Sequence, residues 1–424
     1  MVHKLENLAS EFIGDVAIVL AISAALGSLA RRCGQPAVVG QILAGIMLGP
    51  SLLGRLPGHL TVRLFPDGAL SAINMTSQVA VAIFMFVVGY ELQGRSHSHR
   101  YRPALLVAAF ALLVPMGMGC AAVVVFRSAF AALGQPNLSH SFVLFMGVST
   151  SITALPVLAA IARDRGIAGT NAGVTAIKAA GFMDVAAWLV LAAALVGTSN
   201  QSGRPWWVTL LLITAFAAGM LLAVRPAVRW WIRRPRAAMA SQLPLAITLA
   251  LGSAWVTASL GLHPVFGGLL AGFTMPSRDE GPDPDVLSTM ERVGGLLLPL
   301  FFVVTGLSVN VGTMDGTAVM LLVLLCAVAS VGKLGPAYAT SRVGGHEPKE
   351  AVVVAALVNT RGLTELIALN VGLSVGLIGQ RLFSVLVLMA LITTLTTAPL
   401  LRLVRQPAVC PGAREATAEP AKQR

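Results

Sequence analysis

Apolar runs of about 20 residues, the length that crosses a bilayer's hydrocarbon core, follow one another along nearly the whole chain. They read as spans over 12–30, 36–53, 75–92, 103–126, 139–162, 170–197, 206–224, 241–259, 262–276, 289–309, 316–341, 350–373 and 381–401. Backbone in hydrocarbon must satisfy its own hydrogen bonds, so these runs dictate an all-α polytopic membrane protein with about 13 transmembrane helices. Charge content agrees, at 11% of the 424 residues against about 25% in soluble domains. The 42 Gly and 23 Pro are tolerated because neighbouring helices re-satisfy freed backbone groups. Segments 36–53 and 262–276 are short and Gly-rich, the weakest of the set. The opening MVHKLENLASEF lacks the basic n-region, short apolar core and small-residue cleavage site of a signal peptide. Cys33, Cys120, Cys326 and Cys410 have neither metal nor redox spacing and read as packing residues.

Charge distribution orients the spans. With the C-terminus inside, inside segments hold 21 of the 30 Lys and Arg and outside segments six, a strong positive-inside bias. The expected topology is N-terminus outside and C-terminus inside, and it accounts for the net charge of +12 with no nucleic acid as partner. Thirteen spans factor as six, one and six. A single linker span, 206–224, makes the second half enter the membrane inverted, and inverted repeats with paired interrupted helices mark secondary transporters. STSITALP (149–156) in the fifth span and NTRG (359–362) in the twelfth put hydroxyl or amide side chains and a helix breaker at matching places. Taken alone, STSITALP reads equally as a Pro-kinked helix with Ser and Thr bonded back to its own carbonyls; the matched pair favours two crossed, unwound segments.

Asp184 lies in the middle of an apolar run, with Lys178 on the same segment and Lys333 and Arg361 at similar depth. An ionisable group there costs at least ~2.5–3.5 kcal/mol on insertion scales and faces a cavity or a partner. Lys178 precedes Asp184 by six residues, about 120° round a helix, and reads first as a side chain snorkelling to the inner face. Asp15 reads as an acid in the first turn of the first span, Glu91 and His263 as interfacial residues, and His97, His99, Arg100 and Arg102 as a solvated loop.

PAVVGQILAGIMLGPSLLG (36–54), FMFVVGYEL (84–92), STSITALPVLAAIARDRGI (149–167), AAGFMDVAAW (179–188), GLHPVFGGLLAGFTMP (261–276), LPLFFVVTGLSVNVG (298–312), KLGPAYATSRVGG (333–345) and NTRGLTELIALNVG (359–372) occur in order. Together they resemble the monovalent cation:proton antiporter-2 family, which includes bacterial sodium/proton and potassium/proton exchangers and Kef-type membrane components; the resemblance covers about residues 10–401. It implies the sodium/proton antiporter fold in a multi-pass bacterial inner-membrane protein that acts as a homodimer. Core spans would lie over about 103–197 and 316–401, dimerisation spans over about 12–92 and 241–309, and 402–424 would form a disordered cytoplasmic tail. By position, Asp184 matches the family's ion-binding aspartate, Thr150 and Ser151 its hydroxyl pair, and Lys333 the basic residue of the eleventh span. Arg361, Thr364 and Glu365 match the second crossing. The pattern departs at Met183, where the family carries Asn, Asp or Gln, because a thioether is a poor ligand for hard alkali cations. The tail has no Gly-rich strand–helix turn, so gating by a nucleotide bound in cis is not expected.

The expected activity is therefore exchange of sodium or potassium for protons by alternating access, with no cofactor and no enzymatic step. A proton and a cation exclude one another at Asp184, while Thr150, Ser151 and exposed carbonyls complete the cation's shell. Rival readings are a passive or gated potassium efflux pathway and a non-transporting membrane sensor. A carrier for an organic anion would need no aspartate.

Overall fold

The computed structural model describes residues 2–57, 64–91, 102–135, 138–196, 206–232, 242–260, 263–276 and 282–403. The first half holds α1 (Val2–Arg32), α2 (Ala37–Leu48), α3 (Asp67–Glu91), α4 (Arg102–Val125), α5 (His140–Ser151), α6 (Leu155–Asp164) and α7 (Asn171–Val196). Then come α8 (Trp206–Gly219) and α9 (Arg225–Ile232), joined by the π-helical turn Met220–Val224. The second half holds α10 (Gln242–Ser259), α11 (Pro264–Thr274), α12 (Pro284–Leu307), α13 (Gly316–Val343), α14 (Pro348–Val358), α15 (Leu363–Ser374) and α16 (Gln380–Leu403). Local chemistry starts these helices where they start. Ser139, Asp283 and Asp315 cap α5, α12 and α13 through their side chains, and Glu347 with Glu350 forms a capping box on α14 ahead of Pro348.

Among the described residues, 12 helical segments are long and apolar enough to cross a membrane, and Pro264–Thr274 is a shorter apolar helix. The thirteen runs thus survive as twelve long segments and one short one. The ends shift in several places. α3 begins at Asp67 rather than 75 and α12 at Pro284 rather than 289. The linker span runs on through its π turn to Ile232, which places Arg225 and Arg229 on helix instead of loop. Asp15 is not in a first turn: α1 starts at Val2, and Asp15 is a buried mid-helix residue. His97, His99, Arg100 and the tail from residue 404 lie outside the described residues.

α1–α3 pack with α10–α12, and α4–α7 pack with α13–α16. The Gly-rich segments are the tightest contacts of the first group. A Cβ on Gly45 of α2 or Gly306 of α12 would overlap the other helix's backbone, and one on Gly89 of α3 or Gly272 of α11 would do the same. In hydrocarbon, helix association rests on close van der Waals packing that small residues permit. The glycines that weaken the apolar signal of 36–53 and 262–276 are what hold these helices in place.

Candidate functional site

Two interrupted helices meet inside the second group. The first interruption, Ile152–Ala154, separates α5 from α6; the second, Thr360–Gly362, separates α14 from α15. Pro156 explains the first. Its ring collides with the carbonyl of the residue four before it and supplies no N–H, so the carbonyl of Ile152 leaves the helical ladder. The second has no proline; Gly362, the poorest helix former after proline, sits there with an extended φ of 160°. The two backbones touch directly, with the Ala154 N–H donating to the Thr360 carbonyl at 3.0 Å. Thr153 Oγ1 donates to the Val358 carbonyl at 3.0 Å, and Thr364 Oγ1 lies 3.5 Å from the Thr153 carbonyl it faces.

Cations hold the carbonyl end of α5. Arg361, fully buried, donates to the Ser149 carbonyl at 2.7 Å and also to the Thr150 carbonyl, and pairs with Glu365 Oε1 at 2.7 Å. Lys333, also fully buried, donates to the freed Ile152 carbonyl at 2.5 Å. A helix C-terminus carries roughly half a negative charge and its N-terminus half a positive one. Lys333 and Arg361 compensate the first at α5, and Glu365, in the first turn of α15, compensates the second. The bond that fixes Lys333 therefore goes to a broken-helix carbonyl, while Asp184 acts on it as a nearby charge together with Arg361 and Glu365.

Asp184 is 1% exposed on α7, which packs against α4, α5, α6 and α14. Its neighbour Met183 is fully buried, its sulfur in contact with Thr153 Oγ1 at 3.8 Å, while the hydroxyl proton of Thr153 goes to the Val358 carbonyl. The sulfur is thus joined to the first interruption, and through Thr153 to the second. Thr150 and Ser151 lie in the last turn of α5, but their hydroxyl protons go to backbone. Thr150 donates to the Pro115 and Gly147 carbonyls at 3.0 and 2.9 Å, and Ser151 to Val148 at 2.9 Å. The back-bonded alternative for these two hydroxyls and the crossed-segment reading are both present at once. Gly119 of α4 admits Thr150, since a Cβ there would overlap its Oγ1.

Asn359 was not singled out by sequence reasoning. It is fully buried at the end of α14, and neither atom of its amide meets a protein partner; nor does the Thr360 hydroxyl. A buried amide with no partner costs about 1–3 kcal/mol, so this polar surface is suited to an ion or water. The signal for it was its place in NTRG, two residues before the buried Arg361. A cavity of about 470 Å³ approaches the same point, reaching Pro156 and Val157 at the start of α6 and Leu363 at the start of α15. Its rim carries Arg31, Asp164 and Arg165.

Comparison with known proteins places this geometry. Residues 18–403 match the family described as "Sodium/hydrogen exchanger, transmembrane". The chain is 34% identical over 396 residues to the Na(+)/H(+) antiporter NhaS4 of Synechocystis, covering 92% of this chain and 95% of that protein. It is 35% identical to cation/H(+) antiporter 18 of Arabidopsis thaliana over 93% of this chain, and 28% identical to the K(+)/H(+) antiporter 1 of Saccharomyces cerevisiae over 92%. It spans about half the length of these last two, at 49% and 46%. In fold it is similar to the sodium proton antiporter MjNhaP1 from Methanocaldococcus jannaschii, with a TM-score of 0.63 over 93% of this chain and 96% of that one, at 14% identity.

Proposed function

The chain belongs to the family of transmembrane sodium/hydrogen exchangers, and from that premise we propose how it exchanges a monovalent cation for protons across a membrane. Asp184 is the group for which the two ions compete. Burial disfavours a bare carboxylate, so a proton or a cation must neutralise it, and one excludes the other. The observation that carries this reading is the crossing itself, two interrupted helices with their open ends held by Arg361, Lys333 and Glu365 beside a buried carboxylate. Oxygens of Thr150, Ser151 and Asn359, with carbonyls freed by the two interruptions, replace the water that a sodium or potassium ion leaves behind. Met183 touches Thr153 and leaves Asp184 as the single titrating acid at its position on α7.

Alternating access follows if α4–α7 and α13–α16 move as one unit against α1–α3 and α10–α12, which also supply the contact between two copies of the chain. The bias of Lys and Arg supports placing the rim of Arg31 and Arg165 on the cytoplasmic side, so the 470 Å³ cavity is the inner approach to the site. Purified protein in proteoliposomes, given an imposed pH gradient and then sodium or potassium salt in turn, tests the assignment. Wild type exchanges at least one of the two cations for protons, and Asp184→Asn loses the exchange while keeping its yield and elution volume. Undiminished exchange by Asp184→Asn would overturn the role of this residue.

A further inference from the structure

Leu298, Phe302 and Thr305 fall on one face of α12, spaced by four and then three residues. Leu363, Leu366 and Asn370 fall on one face of α15 in the same way. These faces meet across the boundary between the two helix groups, and their two ends differ in chemistry. At one end Leu298, Phe302 and Leu363 line the 470 Å³ cavity, and the groups stand apart. At the other end the groups are bonded together. Asn370 Nδ2 donates across the boundary to Thr305 Oγ1 at 2.9 Å, and within its own helix to the Leu366 carbonyl at 2.8 Å. Thr305 is fully buried.

The seam continues along the chain that follows α12. The Asn310 N–H donates to Ser384 Oγ of α16 at 3.0 Å, and the Gln380 side chain of α16 donates to the Ser308 carbonyl. Ser51, just beyond α2, donates to the Val309 carbonyl at 2.7 Å and accepts the Val311 N–H at 3.0 Å, which holds this segment on the first group. Ser384, like Thr305, is fully buried. At the cavity end the polar crossings are longer and exposed: Gln35 Nε2 to the Leu395 carbonyl at 3.3 Å, and Arg402 to the Cys33 carbonyl at 3.4 Å. Exposed bonds are exchanged for water when the bodies part, whereas a buried one leaves its groups unsatisfied until water or a new partner reaches them.

We propose that Asn370 and Thr305 are positioning residues for the exchange: their bond latches the conformer whose site opens to the 470 Å³ cavity, and it parts before the site opens to the opposite face. This rests on the reading that the two helix groups move against each other, and not on the role of Asp184. A bond between membrane helices shifts a balance by roughly three- to tenfold, enough to bias the two conformers without locking either. Neither residue touches the crossing through the bonds described, so the latch acts on which face the site opens to rather than on the ion itself.

Ser384→Cys, in full-length protein whose four native cysteines are replaced by serine, puts a thiol inside the seam. Its rate of reaction with a small charged methanethiosulfonate is timed in detergent, with and without a second substitution. Thr305→Val and Asn370→Leu each speed the reaction by roughly three- to tenfold, the two together no more than either alone, and Thr305→Ser keeps the native rate. Thr257→Val, which removes a buried hydroxyl bonded only within α10, leaves the rate unchanged and so separates the latch from general loosening. A measurable native rate that neither Thr305→Val nor Asn370→Leu raises, or that Thr257→Val raises as much, overturns the latch and leaves the motion standing. No reaction in any variant overturns the latch and the motion together. Neither outcome bears on Asp184, whose loss is read by exchange.

Discussion

Replacing Arg361 by Met keeps much of the side chain's length and removes only its charge and its donors. The structure says what is left behind. The carbonyls of Ser149 and Thr150 lose a donor, and the Glu365 carboxylate, fully buried, loses its partner. Breaking a buried pair from one side costs about 3–5 kcal/mol, because the remaining charge stays desolvated. With an unfolding entropy of ~2.1 cal/mol/K per residue over 424 residues, that corresponds to a Tm lower by roughly 3–6 °C. Glu365→Gln in the same background removes the stranded charge and recovers part of the loss, so the double variant is more stable than the sum of the two singles predicts. Residues in contact typically couple by about 0.5–3 kcal/mol in such a cycle. Thermal unfolding of the four proteins in one detergent, followed by intrinsic fluorescence, measures it. A fall of under 1 °C for Arg361→Met, or strict additivity in the cycle, would refute the view that Arg361 and Glu365 hold the crossing as a unit.

Gly119→Val places a side chain where Thr150 Oγ1 lies, and overpacking of this kind costs about 1–3 kcal/mol; a lower Tm together with slower exchange is expected, whereas Gly117→Val, with open space around it, serves as the control. Asp315 caps α13 by accepting the Ala318 N–H and pairs with Arg381, and these contacts, in that order, hold its carboxyl below the ordinary value of 3.8. Its contribution is therefore complete above that value and lost as pH falls through the lower folded one, so Asp315→Ala should lower Tm at neutral pH and lower it progressively less as the solution is acidified below 3.8. Exchange should be one proton for one cation, since Met183 stands where a second acid would be; a rate in proteoliposomes that shifts with a potential clamped by potassium and valinomycin, with sodium as substrate, would contradict this.

How much was legible in the chain divides along the range of the interactions. Each membrane helix announces itself because a bilayer sets its length and composition, so α4, α7, α13 and α16 were visible as apolar runs without any partner in view. The interruption at Ile152–Ala154 was legible because Pro156 acts on a carbonyl four residues away, a local effect. Asp184, Lys333 and Arg361 stood out because charge in hydrocarbon is costly wherever it lies. The helix ends were less certain: α9 continues past the π turn, where Arg225, Pro226 and Arg229 interrupt the apolar run and read as its end.

The pairings were not legible, because they are made across about 180–210 positions of sequence. Lys333 reaches the Ile152 carbonyl over 181 residues and Arg361 the Ser149 carbonyl over 212. Only packing decides which orphaned carbonyl lies within reach of which cation. The same holds for the backbone carbonyls that take the hydroxyl protons of Thr150 and Ser151, and for Asn359, whose amide stands out only once its surroundings are known to offer it nothing. The sequence by itself determined that this chain spans a membrane, breaks two of its helices there and buries a carboxylate between fixed charges. The tertiary structure decided which groups those charges hold, because hydrogen bonds act over about 3 Å and apolar periodicity carries no record of distance between helices.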